Sequence, residues 1–159
     1  MVTGAARQPA TIPTAADDRS LPASRRLRAG LLPAIRGIEQ TLAAPAGDPA
    51  WRHGLAVRLC TLQGSFAEHV RATEGADGLY AELLDRAPWL AHSTRALVRE
   101  HGAVAATIGA LRRRTELPET GVDELRNRSV DLLRALARHR QRGADLIHHA
   151  YELDLGGET

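Results

Sequence analysis

The sequence contains no lysine, and all 21 of its basic residues are arginine. Set against 19 acidic residues, this leaves a formal charge of only +2. The pI of 9.3 therefore reflects basic groups that do not titrate below about 12, not a large basic excess. So small an excess gives no electrostatic footprint for nucleic acid, which is not expected as a partner. Cysteine is nearly absent too: Cys60 alone excludes an internal disulfide and a CxxC zinc or redox site. Aromatic residues make up 3 % of the chain, too few for the strand-rich core of a sandwich or barrel. No apolar run approaches the roughly 18 residues of a membrane span. The first twenty residues also lack the apolar segment of a secretory signal. The expectation is a cytoplasmic protein with no membrane partner.

What is present favours helix: Ala, Leu and Arg are the commonest residues. A chain of 159 residues fits one compact domain. Residues 1–22 show no periodicity and are rich in Ala, Thr, Pro and Asp, which predicts a disordered tail. Residues 23–159 form the helical domain. Ser24 is a candidate N-cap for a first helix through Leu27, Leu31, Ile35, Ile38 and Leu42, with Pro33 as a kink or second start. After the break at Ala44–Gly47, Asp48 caps and Pro49 opens a second helix, read as one long, bent element over 49–86. Pro88 opens a third that runs to Leu111, and Thr115 to Gly121 is a turn. A fourth runs from Val122 to Ala150 and stops before Gly156-Gly157. Four helices on short turns predict an all-α, up-down-up-down four-helix bundle.

Histidine is the unusual entry, with seven residues in all. His69, His101 and His139 each follow a core-type residue (Phe66, Leu97 and Leu136) by three or four positions, on three different helices. That spacing puts all three on inward stripes. Counting back to the intervening turns at about 1.5 Å per residue places His69 and His101 within roughly 6 Å of one level, with His139 alongside. Neutral imidazoles are metal ligands, and facing helices of a bundle are a place to build such a site. Carboxylates suit iron or manganese, and Glu74 and Asp145 are the candidates to complete the set, with Glu100 beside His101. Each of the two lies well off the face of its own helix's histidine, Glu74 unless Gly75 unwinds the helix locally. A core histidine bonded to a carbonyl or a neighbour is the alternative for each taken singly.

These stretches resemble the hemerythrin-like HHE family. The likeness rests on Phe66-Ala67-Glu68-His69 leading to Thr73-Glu74-Gly75 and Gly78-Leu79-Tyr80, on Leu97-Val98-Arg99-Glu100-His101, and on Leu136-Ala137-Arg138-His139. It covers about residues 24–155. The resemblance implies a four-helix bundle holding non-heme iron, mononuclear or di-iron, that binds or senses dioxygen, peroxide or another small redox ligand, with a homodimer as an open option. The ligand set is smaller than the family's. Ser24 stands where a first-helix histidine is usual, Thr73 where a carboxylate is usual, and Gly143 where the fourth helix carries another. A single-metal site and a metal-free regulatory or scaffold bundle with vestigial histidines both stay open.

Other signals carry less. His148 and His149 point about 100° apart and belong at the bundle end, half-buried or exposed; His53 and His92 fall off the stripes. Tyr80, near the stripe of His69, reads as a packed core residue, a hydrogen-bond donor beside the site being the alternative. Cys60 reads as a buried, inert thiol. Arg112–Arg114 complement a helix C-terminus, and Arg138, Arg140 and Arg142 form a solvated face. An arginine-dependent binding module is the third reading of the chain.

Overall fold

The computed structural model describes residues 30–152, and every regular element among them is helical. Helix α1 spans 30–43, α2 Trp51–Glu74, α3 Leu79–Arg86, α4 Ala91–Thr115 and α5 Val122–Glu152. A short 3₁₀ turn at Pro88–Leu90 leads into α4. Four long helices and the two-turn α3 make the protein all-α, as a four-helix bundle requires. The predicted tail, the cap at Ser24 and the stop at Gly156-Gly157 lie outside the described residues.

Two helix boundaries differ from the sequence pattern. The element read as continuous over 49–86 is broken after Glu74. A Cβ at Gly78 would stand 2.7 Å from the Thr73 carbonyl oxygen, and one at Gly75 would stand 2.9 Å from that of Arg71. Only glycine lets the backbone fold back so closely, and apolar periodicity alone does not register it. The start of α2 also moves. Asp48 does not cap the helix; its Oδ1 accepts the Ala50 N–H at 2.8 Å in a turn, and the helix begins at Trp51.

Side chains at the α2 start fasten neighbouring turns. The Trp51 indole N–H donates to the Thr41 carbonyl at 2.8 Å, joining α2 to the end of α1. The Arg52 guanidinium donates to the carbonyls of Thr115, Leu117 and Thr120, satisfying acceptors that the end of α4 leaves open.

The apolar interior is divided in two. One cluster draws Leu31 and Ile38 from α1, Leu59 and Phe66 from α2, Val104 and Ile108 from α4, and Leu132 and Leu136 from α5. The other joins Tyr80 and Leu83 of α3 to Leu97 of α4 and to Leu146, Ile147 and Tyr151 of α5. Along α4 the division falls between Leu97 and Val104, and along α5 between Leu136 and Leu146. His101 and His139 occupy those gaps.

Candidate metal centre

Helical repeat carries His69, His101 and His139 inward behind Phe66, Leu97 and Leu136, and the bundle brings them together. His139 Nε2 lies 3.1 Å from His101 Nε2 and 3.3 Å from His69 Nε2. One donor atom from each histidine lies within 4.8 Å of the other two. The Phe66 ring forms one wall, its centroid 5.7 Å from the rings of both His69 and His101 and 6.2 Å from that of His139. His101 and His139 are each only 2 % exposed, while His69 is half-buried.

The outer nitrogens decide which way the lone pairs point. His101 Nδ1 donates to Glu74 Oε1 at 2.5 Å, and His139 Nδ1 donates to Glu100 Oε2 at 2.9 Å. An ionised carboxylate only accepts, so both Nδ1 atoms carry the proton and a neutral ring then leaves Nε2 bare. Two bare nitrogens consequently face each other 3.1 Å apart. The Nε2 proton of His69 can bridge to His139, but no proton remains for the His101–His139 contact. Adding one is opposed by the surroundings. Burial, reinforced by the neighbouring His101 and His139, holds His69 down at about 3, far below its usual 6.5. Burial lowers His101 against the pull of Glu74, and burial lowers His139.

A cation among the three nitrogens would remove the conflict, and the two contacts of His139 are spaced for one. Imidazole nitrogen binds such ions at about 2.0–2.1 Å, which sets adjacent donors about 3.3 Å apart around a tetrahedral ion and about 2.9 Å apart around an octahedral one. The two pairs made by His139, at 3.1 and 3.3 Å, lie at that spacing, and all three donor atoms lie within 4.8 Å of one another. The three histidines could hold a metal ion.

The five residues proposed from sequence do not all meet. His69, His101 and His139 converge. Glu74, the last residue of α2, reaches across to the outer nitrogen of His101 and takes no place among the three inner nitrogens. Asp145 is exposed, and its Oδ1 accepts from Gln141 Nε2 at 2.9 Å. It lines a surface cleft of about 280 Å³ together with Glu100 and Arg142, on the outer side of the centre. Glu100, noted in the sequence only as the neighbour of His101, serves His139 on another helix, a pairing that adjacency in sequence does not suggest. Its second oxygen accepts from the Arg142 guanidinium.

Tyr80 is 5 % exposed, and its ring lies parallel to that of His101, with centroids 5.9 Å apart. Its hydroxyl stands 3.5 Å from His101 Nε2. Burial pushes the Tyr80 phenol well above its usual range, the Glu74 charge adds to this, and a hydrogen bond with Thr73 opposes it. His53, His92, His148 and His149 are exposed, as expected of residues off the inward stripes. Cys60 is exposed as well, which corrects the expectation of a buried thiol: it is turned about 100° from Leu59, the residue that faces the core.

No protein-family model matches this sequence, and neither a curated protein nor a solved structure matches it.

Proposed function

We propose that this chain is a non-heme metal-binding bundle of the hemerythrin-like kind, holding one divalent ion, iron in this reading, through His69, His101 and His139. The observation that carries it is the His101–His139 contact, where two Nε2 atoms meet at 3.1 Å while both outer protons are given to carboxylates. Three protein donors leave coordination positions free, and iron held this way supplies redox and Lewis-acid chemistry toward dioxygen, peroxide or another small redox ligand.

The chain's own residues prepare the site. Glu74 and Glu100 fix the ring orientation of His101 and His139 and make their inner nitrogens better donors. Phe66 and the two aliphatic clusters keep water from the flanks. The family-type di-iron centre is not favoured, because the three inner donors are neutral imidazoles with no bridging carboxylate among them. The arginine-dependent module has less support: Arg114, Arg128 and Arg142 are engaged with Glu124, Glu124 and Glu100 respectively.

Metal analysis of untagged protein, loaded anaerobically with ferrous iron and freed of excess, tests the reading. A folded site binds nearly stoichiometrically, so about one iron per chain is expected, and His101→Ala abolishes it. Less than about 0.2 per chain overturns the proposal in favour of a metal-free regulatory or scaffold bundle. An optical spectrum of the loaded protein that ignores both dioxygen and peroxide removes the redox role and leaves metal binding.

A further inference from the structure

We infer that Tyr80 supplies an oxygen donor to this centre, so that the ion is held by three imidazoles and one phenolate. The inference rests on the metal reading above and extends it to a residue outside the histidine cluster. Its basis is position. The Tyr80 oxygen is 3.5 Å from His101 Nε2, longer than a good hydrogen bond between these groups. It is slightly longer than the separation of two donors bound to one ion, about 2.9 to 3.3 Å for bonds of about 2.0–2.1 Å, so a small inward shift of the phenol completes the set. Nδ1 of His101 is already committed to Glu74, so the nitrogen nearest the phenol is the one that carries the lone pair. Parallel stacking against the His101 ring fixes the phenol beside that nitrogen, and the residue is buried.

Charge argues the same way. Three neutral imidazoles leave the full charge of a cation uncompensated between two apolar clusters, a costly arrangement. Glu74 and Glu100 stand behind the histidines, on the far side of the rings. A phenolate places negative charge directly against the ion. Coordination breaks the Tyr80 O–H bond and forms an O–iron bond; the proton leaves to solvent, and the iron keeps its oxidation state.

The chain has two tyrosines, Tyr80 and Tyr151, which makes the test selective. Full-length untagged protein is loaded with ferrous iron, oxidised by one electron with ferricyanide, and examined for iron content, visible absorption and resonance Raman scattering. The expected result is a visible phenolate-to-iron charge-transfer band with enhanced phenolate ring modes. Tyr80→Phe should lose the band while still binding iron. Tyr151→Phe, which removes a buried hydroxyl without a hydrogen-bond partner, should keep it. Because Tyr80 is then the sole tyrosine, this second variant assigns the band even where Tyr80→Phe fails to fold. Stoichiometric iron without the band in the wild type, or a band lost in Tyr151→Phe and kept in Tyr80→Phe, overturns the inference and leaves the metal reading standing. Absence of bound iron in the wild type overturns both.

Discussion

Where Leu59, Leu132 and Leu136 meet, each side chain fills space left by the others and none brings a polar atom. About one turn further along α5 from Leu136, the bundle holds His139 in the same kind of buried position, facing two more imidazoles. The aliphatic region is satisfied by shape alone. The histidine layer depends on a specific arrangement of protons and carboxylates, in which one N–N contact has nothing between its lone pairs. Stability should therefore reside in the first region and ligand chemistry in the second.

Four measurements test that division. The largest effect is expected from Leu132→Ala, a cavity in the aliphatic cluster, which should lower unfolding free energy by about 2–5 kcal/mol in chemical denaturation. A loss below about 1 kcal/mol would show that this region is not the stabilising one. Next comes Glu100→Ala, which frees the outer nitrogen of His139 at the cleft rim. Iron affinity should fall about 10–100-fold in competition titrations with little change in the unfolding of the metal-free protein. Unchanged affinity would show that the carboxylate does not orient the ligand.

The third is pH. The histidines of the layer have folded-state values below their ordinary 6.5, with His69 at about 3, so the unfolded chain takes up their protons more readily. The stability they contribute is complete above about 6.5 and declines as the pH falls toward about 3. Metal-free protein should show a falling denaturation midpoint between pH 7 and 5, a slope that His69→Asn reduces; equal slopes would clear His69 of this role. The smallest effect is expected from the pair His101→Leu and His139→Leu. Replacing both members of a buried polar contact with apolar groups of similar size is often near neutral, so metal-free stability should stay within about 1 kcal/mol while metal binding disappears.

Much of this could be read from the chain. The 3.6-residue repeat that buries Leu97, Val104 and Ile108 also fixes where His101 must point, so the meeting of the three histidines followed from the spacing of their apolar neighbours. The carboxylates were less accessible. Glu74 serves His101 on α4 and Glu100 serves His139 on α5, and such cross-helix pairing depends on how the helices are rotated about one another. Sequence distance along one helix carries no signal for it. Asp145 looked eligible by composition, yet its place on α5 turns it to solvent. The interruption between α2 and α3 was also hidden, since Tyr80, Leu83 and Leu84 continue an apolar rhythm across Gly75 and Gly78.

That interruption has a bearing on how the protein can change over generations. On an unbroken helix, Tyr80 would stand eleven positions beyond His69, about 16 Å further along the axis and out of reach of His101. The corner at residues 75–78 folds it back over the imidazoles, with backbone approaches too tight for any Cβ. Surface connections ordinarily drift in length among relatives. Here a single inserted or deleted residue would swing the phenol away from the layer, so length variation should collect in the turn at 44–50 and leave this corner untouched.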